Sequence, residues 1–369
     1  MDLARFLRTS QGWPYLLVPF IPIAIVLELA HAGAVVTFFA SALGVIPTAA
    51  LMGKATEELA ARSGPGIGGL LNVTFGNAPE LIIALFALGA GLHEVVKASI
   101  IGSILGNTLL VLGAAMFFGG WNRDRQTFDR TAAQAQSSML LLAAAALVMP
   151  AIYELIDGRG LPSPGSERVH YDSTVEALSA AVACVLIVSY VAGLWFSLRT
   201  HRDLFNPPHD EEEEHEPWTV RKSVIALAIA GVAVGGMSEI LVDSISDAAE
   251  KLGLSEFFIG VIVVAIVGNA AEHWVAVLVA LKDKMDLAVN IAIGSSAQIA
   301  LFVAPVLVLM SFVLGPHPMP LVFNGFELAG ILLAITIANH VTGEGESTWY
   351  EGLQLLAVYV VLGIAFYVA

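Results

Sequence analysis

Two glutamates interrupt apolar runs of this chain within the same short motif, G-N-A-x-E. Glu80 stands in "FGNAPELIIALFAL" (residues 75–88), and Glu272 stands in "VGNAAEHWVAVLVAL" (residues 267–281). A carboxylate inside an apolar helix of membrane-spanning length is costly and is a functional residue by default. A single glutamate near a helix end is often only interfacial, but a pair in one repeated frame indicates a shared site.

The neighbours of the two glutamates favour one kind of chemistry. Asn77 and Asn269 each precede a glutamate by three residues, so each asparagine shares a helix face with its glutamate. Gly76, Gly268 and Pro79 weaken regular helix, and a locally broken helix frees backbone carbonyls. Carboxylates, amides and carbonyls are hard oxygen ligands. They suit a divalent cation, with calcium as first choice, whereas zinc or copper would call for His and Cys.

A second matched pair of motifs indicates that the chain repeats itself. Ser103 stands in "IIGSILGNTLL" and Ser295 stands in "AIGSSAQIAL". The two serines are 192 residues apart, as are Glu80 and Glu272. Two separate motifs that share one offset without gaps predict an internal duplication.

Polar residues in these following helices are candidates to complete the site. Ser103 and Asn107 lie four apart on one helix face, and Ser295 and Gln298 lie three apart. Hydrogen bonding between helices explains them equally well. At the offset of 192, Asn107 corresponds to Ile299 and not to Gln298, which predicts that the two halves differ at this level.

Composition and periodicity define the elements that must carry these residues. Hydrophobic residues make up 57% of the 369 and charged residues 13%, which is typical of a polytopic membrane protein. Continuous apolar runs of about 20 residues predict helices and not the alternating strands of a β-barrel. We predict an all-α polytopic membrane protein with about eleven transmembrane helices. The predicted spans are roughly 14–30, 33–53, 66–92, 95–118, 134–153, 173–198, 222–245, 256–281, 287–314, 320–340 and 348–368.

A duplication of five spans sets the geometry of the predicted fold. Because five is odd, two consecutive units cross the membrane in opposite senses, and such inverted repeats commonly hold a site where they meet. The two motif glutamates would then face each other near the midplane. The predicted organisation is a leading helix in 1–32, a first five-helix repeat in 33–198, an acidic linker in 199–221 and a second five-helix repeat in 222–369.

Charged residues predict the orientation and exclude some partners. Thirteen of the 17 Lys and Arg residues fall on one side of the membrane if the N-terminus is cytoplasmic, which favours that orientation. The first span could pass for a signal peptide, but Glu28 and the apolar run that follows favour a retained helix.

A net charge of −15 argues against nucleic acid as a partner. The single cysteine, Cys184, excludes an internal disulfide and a Cys-rich metal site.

Two facing glutamates also predict coupling between a cation and protons. With both carboxylates ionised and nothing bound, the site would carry a charge of −2 in a low-dielectric core, which is strongly unfavourable. One Ca²⁺ or two protons would neutralise it. A carrier whose site can switch from one side of the membrane to the other only when it is neutralised exchanges Ca²⁺ for H⁺ by alternating access.

These motifs give the chain a resemblance to the calcium/proton exchanger family of the calcium/cation antiporter superfamily. The resemblance covers both G-N-A-x-E helices, the "GSILGN" and "GSSAQ" helices, the acidic stretch between the halves and one leading span. It implies a secondary transporter and not an enzyme, with Ca²⁺ and H⁺ as substrates and no cofactor. By the motif match, Glu80 and Glu272 would bind the cation or protons, with Asn77 and Asn269 in support.

Two further acidic segments have possible roles. In span 7, Glu239, Asp243 and Asp247 are spaced by four and form a stripe toward the predicted outer surface. Glu239 is the deepest of the three and is the candidate for an accessory proton path. The run "HDEEEEHE" (residues 209–216) is either a solvated linker or a segment that gathers cytoplasmic Ca²⁺.

The sequence leaves other functions open. An antiporter of Mn²⁺, Na⁺ or K⁺ would use similar oxygen ligands, and a cation-selective channel could use the same acids. An intramembrane protease is disfavoured, because the chain shows no candidate nucleophile with an ordered base. The expected location is a prokaryotic cytoplasmic (inner) membrane.

Overall fold

The computed structural model describes residues 12–165, 168, 170–197 and 218–369, without the side chains of 64–67, 69 and 73. Across these residues, nine apolar helices are at least 18 residues long, which is enough to cross a membrane, and two are shorter. The predicted all-α fold with about eleven apolar helices is confirmed. The helices are α1 Trp13–Leu29, α2 Ala34–Phe75, α3 Ala78–Gly89, α4 His93–Gly120, α5 Arg130–Ile156, α6 Ser173–Trp195, α7 Val220–Leu252, α8 Glu256–Leu281, α9 Met285–Met310, α10 Gly325–Thr342 and α11 Trp349–Val368. The acidic run 209–216 lies outside the described residues.

α2 is longer than the predicted second span because it continues into the third. A methyl group added at Gly68 would clash with the carbonyl oxygen of Ala60. In a straight helix these residues would lie about 12 Å apart along the axis, so the chain bends sharply between them. The part before the bend contains the predicted span 33–53, and the part after it opens the predicted span 66–92.

The helix of the first motif is broken, whereas the helix of the second is continuous. Two residues, Gly76 and Asn77, separate α2 from α3, and Asn77 is the N-cap residue of α3. Pro79 lies in the first turn of α3, where a helix tolerates the missing N–H. In the second motif α8 continues through Gly268, but a π-helical segment, Ile259–Val264, precedes it.

π-Helical turns interrupt three of the four helices that carry or follow the motifs. Such turns are rare and frequently mark functional sites, because they shift the phase of the helix face. They occur in α4 at Gly106–Val111, in α8 at Ile259–Val264, and in α9 at Asn290–Gly294 and Ile299–Val303.

α4 and α9 form the centre of the molecule. In their most apolar windows 83% and 78% of the residues are buried, against 22% for α6 and 17% for α11. The outer helices therefore turn apolar side chains toward the surroundings, as membrane helices do. The inner helices α4 and α9 are the ones that carry the predicted polar residues after the two motifs.

α4 crosses α8 at a close contact built from small residues. A methyl group added at Gly260 would lie 2.8 Å from Cβ of Ala98, and one added at Gly102 would clash with the carbonyl oxygen of Val261. Small residues allow backbones to approach in this way in membrane proteins. The crossing places the helix that follows the first motif directly against the helix of the second motif.

Two features tie the helix ends on the predicted cytoplasmic side. The N–H of Trp218 donates to Oε2 of Glu58 over 2.7 Å, and its carbonyl accepts from Nε of Arg62 over 3.1 Å. These two hydrogen bonds link the part of α2 before the bend to the start of α7. α7 packs along that part of α2. A short antiparallel pair, β1 Gln126–Thr127 and β2 Glu346–Ser347, joins the α4–α5 and α10–α11 connections.

Candidate cation site

Each motif glutamate lies against the glycine of the other motif. A methyl group added at Gly268 would lie 3.3 Å from Cγ of Glu80, and one added at Gly76 would lie 3.7 Å from Oε1 of Glu272. Each glutamate therefore packs on the opposite backbone at a position where no side chain intervenes. The two carboxylates are close enough for their charges to interact.

Each motif asparagine is hydrogen-bonded to the serine that follows the opposite motif. Ser295 Oγ donates to Oδ1 of Asn77 over 3.0 Å, and Nδ2 of Asn269 donates to Oγ of Ser103 over 3.1 Å. All four side chains are buried. These two hydrogen bonds, each between an asparagine of one half and a serine of the other, hold α4 and α9 beside the glutamates.

Further hydrogen bonds extend the polar cluster. Nε2 of His273 lies 3.1 Å from Oδ1 of Asn107, and Nδ2 of Asn107 donates to Oγ of Ser295 over 3.2 Å. Nδ2 of Asn77 donates to Oε1 of Gln298 over 2.6 Å. A continuous polar chain thus runs from α8 through α4 and α9 to the first motif and back to α9.

The two glutamates are not neutralised by a basic side chain. Among the residues that the structure describes, no lysine or arginine forms an ion pair with Glu80 or Glu272. Oε2 of Glu80 and Oδ1 of Asn269 are buried, and neither has a hydrogen-bond partner within the described ranges. Buried acceptors of this kind are costly unless a cation, a proton or water satisfies them. The arrangement is suited to bind a cation or protons.

The structure brings together all ten residues predicted from the motifs and the helices after them. Their roles in binding stay predictions. The residues are Gly76, Asn77, Glu80, Ser103, Asn107, Gly268, Asn269, Glu272, Ser295 and Gln298.

Glu239, the predicted accessory acid, lies apart from this hydrogen-bonded cluster. Its side chain is exposed on α7, as are those of Asp243 and Asp247 on the same face. Within the described part of the chain it forms no hydrogen bond or ion pair with the residues of the site. Its place in a proton path stays a prediction.

Two residues outside the predicted set also face the site. Sequence spacing puts His273 on another helix face from Glu272, yet its ring reaches Asn107 on α4. Glu57 of α2 interacts electrostatically with Glu272 and forms a 3.7 Å ion pair with Lys54. The one feature of the sequence that could have pointed to Glu57 is the acidic pair in "TEEL" (residues 56–59), just after the second apolar run.

Comparison with protein families gives one match that spans most of the chain. A model of the sodium/calcium exchanger protein family matches residues 33–199 and 222–368. These segments lie close to the two predicted repeats. α1 precedes the first matched segment.

Individual proteins are similar over nearly the whole length. The Ca(2+)/H(+) antiporter of Aphanothece halophytica is 43% identical over 94% of both chains. The Ca(2+)/H(+) antiporter ChaA of Bacillus subtilis is 44% identical over 94% of this chain and 96% of that protein.

Solved structures share the fold. Native YfkE matches with a TM-score of 0.82 at 39% identity, over 96% of this chain and 100% of that one. The H⁺/Ca²⁺ exchanger CAX matches with a TM-score of 0.69 at 14% identity, over 100% of this chain and 93% of that one. The latter similarity concerns the fold alone.

Proposed function

This chain belongs to the sodium/calcium exchanger protein family, and on that premise we propose that it is a secondary antiporter that exchanges Ca²⁺ for H⁺ across a membrane. The similarity to proteins named Ca²⁺/H⁺ antiporters supports the choice of substrates. One structural observation carries the proposal: Glu80 and Glu272, from the two halves, face each other without a basic partner among the described residues.

The charge of this pair provides the coupling. Two ionised carboxylates in a low-dielectric core repel each other and have lost most of their hydration, so the empty and doubly charged site is disfavoured. One Ca²⁺ or two protons remove that charge. A protein that changes conformation readily only when Glu80 and Glu272 are neutralised must carry Ca²⁺ in one direction and protons in the other.

The available donors fit calcium. Ca²⁺ accepts about six to eight oxygen ligands in adaptable geometry. Glu80, Glu272 and Oδ1 of Asn269 supply oxygens, and water or backbone carbonyls at the Gly76–Asn77 break can supply others. No group of three or more His, Cys, Asp or Glu is arranged as a metal site in the described ranges. A site with only two charged ligands can release its ion, as a carrier requires.

Uptake of ⁴⁵Ca²⁺ into proteoliposomes with an imposed pH gradient tests the proposal. An antiporter accumulates Ca²⁺ against its own gradient when the lumen is acidic, whereas a channel only equilibrates Ca²⁺. Loss of uptake after collapse of the pH gradient with a protonophore is the expected control result. Competition by unlabelled Mn²⁺, Na⁺ or K⁺ separates calcium exchange from the alternative substrates, and uptake that is indifferent to pH would contradict proton coupling.

We place this multi-pass membrane protein in a prokaryotic cytoplasmic membrane, with the N-terminus in the cytoplasm. The bias of Lys and Arg supports this orientation. In a Cys184→Ser background, an impermeant maleimide applied to intact cells should label a cysteine at Asp157 but not one at Asp124. The reverse pattern would invert the assignment.

A further inference from the structure

The two motif asparagines are engaged in different ways, although they are equivalent in sequence. Both functional groups of Asn77 are in use inside the protein. Its Oδ1 accepts from Ser295 over 3.0 Å, and its Nδ2 donates to Oε1 of Gln298 over 2.6 Å. Its side chain is therefore held from both ends by α9.

Within the described residues, the side chain of Asn269 forms hydrogen bonds only through Nδ2. Nδ2 donates to Oγ of Ser103 over 3.1 Å and to the carbonyl of Ala265 over 2.9 Å. The residue is fully buried, and no donor within the described ranges reaches its Oδ1. An amide oxygen in this state calls for a partner, and a cation is the partner that a site of carboxylates would attract.

The sequence accounts for this difference between the halves. Gln298 corresponds at the offset of 192 to Gly106, which has no side chain to hold Asn269. Asn107, which donates to Ser295 over 3.2 Å, corresponds to Ile299. The hydrogen bonds of Gln298 to Asn77 and of Asn107 to Ser295 therefore have no equivalents around Asn269 and Ser103.

The two site oxygens that have no partner within the described ranges belong to residues that meet at the second motif. One is Oε2 of Glu80, whose side chain packs on Gly268, and the other is Oδ1 of Asn269, the next residue along α8. Glu272 lies one helical turn further on. A cation placed there would meet both glutamates and one amide.

We infer that the cation site is asymmetric: Asn269 gives its side-chain oxygen to the cation, whereas Asn77 is a positioning residue that Gln298 and Ser295 hold in place. This inference rests on the proposed function, because it assigns ligands within the same site. Asn77 and Gln298 act as one unit that fixes the break before α3 and hence the position of Glu80.

Equilibrium ⁴⁵Ca²⁺ binding to the purified full chain, with KM and kcat for uptake, tests the assignment. Asn269→Ala should raise both the Kd and the KM for Ca²⁺ about tenfold or more, because a direct ligand is lost. Asn77→Ala should raise the Kd less than about threefold and should act mainly on kcat. Gln298→Leu should match Asn77→Ala, and the double variant should be no worse than either single one, since coupled residues are not additive.

Two results would overturn the asymmetry while leaving the exchanger intact. One is an equal rise in Kd for Asn77→Ala and Asn269→Ala, and the other is a multiplicative effect in the Asn77→Ala/Gln298→Leu double variant. A wild-type protein that neither binds nor exchanges Ca²⁺ would instead remove the proposed function, and the inference with it. If Asn269→Ala is not monodisperse, Asn269→Ser serves as the second variant and should shift the Kd in the same direction.

Discussion

Glu57 brings a further carboxylate within electrostatic range of Glu272. It lies on α2, its side chain is 65% exposed, and its charge interacts with that of Glu272. An exposed acid beside a buried site raises the local concentration of cations without binding them tightly. We expect Glu57 to assist the arrival of Ca²⁺ and not to hold it in transit.

Glu57→Gln should therefore raise the KM for Ca²⁺ by about two- to threefold at low ionic strength, with little change in maximal rate. The effect should shrink in high salt, because salt screens exposed charges. Initial rates of ⁴⁵Ca²⁺ uptake at two ionic strengths measure both quantities.

Glu346→Gln is a matched control for the loss of one acidic charge. Glu346 is 45% exposed and pairs with Arg125 over 2.8 Å, away from the glutamate site. It should leave KM unchanged. A large fall in maximal rate for Glu57→Gln would contradict an arrival role and would place this acid among the residues that carry the ion.

Which residues meet at the site could be predicted from the sequence, but which atoms pair could not. The duplication supplied the long-range constraint that joins Glu80 to Glu272. The bonds from Asn77 to Gln298 and from His273 to Asn107 depend on helix phase, and π-helical turns alter that phase locally. Asn107 lies within the π-helical turn of α4, so spacing rules for regular helices do not predict that it meets His273.

The crossing of α4 and α8 depends on Gly260. A methyl group added there would lie 2.8 Å from Cβ of Ala98 and 2.9 Å from the carbonyl oxygen of Val95. Two backbones packed this closely leave no room for relaxation, so Gly260→Ala should destabilise the protein by about 1–3 kcal/mol. A lower midpoint of thermal unfolding in detergent is the expected measurement.

Gly236→Ala on α7 separates the loss of space from the general effect of replacing glycine. A methyl group at Gly236 would meet nothing within 4 Å. Because alanine favours helix over glycine by up to about 1 kcal/mol, this variant should be neutral or stabilising. Equal destabilisation by both substitutions would mean that the close crossing is not what requires Gly260.

The start of α6 should lose stability in acid. Oδ1 of Asp172 accepts from the N–H of Thr174 over 2.7 Å, and Oδ2 accepts from Nη2 of Arg159 over 3.2 Å. The bond from Thr174 first, and then the one from Arg159, hold the pKa of Asp172 below its ordinary value. A lowered folded pKa means that the stabilisation is complete above the ordinary value and is lost as the pH falls through the folded value.

Asp172→Asn keeps an acceptor for the helix cap but removes the charge. Its unfolding midpoint should lie a few degrees at most below that of the wild type at neutral pH. The difference should begin to shrink as the pH falls below about 4, the ordinary pKa of an aspartate, and should vanish below the folded pKa. A difference that stays constant over this range would show that the charge of Asp172 contributes nothing.

Most helix positions could be predicted from apolar runs, whereas their continuity could not. The run 33–53 and the run 66–92 are separated in sequence by charged residues, yet α2 keeps helical hydrogen bonding across them and bends between Ala60 and Gly68. Local composition indicates where lipid-facing segments lie. It does not indicate whether the backbone between them stays helical, which depends on packing against neighbouring helices.

For the whole molecule, membership in the exchanger family and the helical fold agree with the expectation from composition and motifs. The resemblance to calcium/proton exchangers is confirmed by relatives similar over nearly the whole chain. The division into a leading helix and two inverted repeats stays a prediction. The reciprocal contacts of Glu80 with Gly268 and of Glu272 with Gly76 are what such repeats would produce.

Proton movement driven by a calcium gradient tests the central claim most directly, namely that the two glutamates bind either Ca²⁺ or protons. Proteoliposomes loaded with Ca²⁺ are diluted into calcium-free buffer at equal pH, with the membrane potential clamped, and the luminal pH is followed. The wild type should acidify the lumen as Ca²⁺ leaves, and Glu80→Gln and Glu272→Gln should abolish this at equal protein density. Acidification at the wild-type rate by either variant, or Ca²⁺ efflux without proton entry in the wild type, would contradict the account.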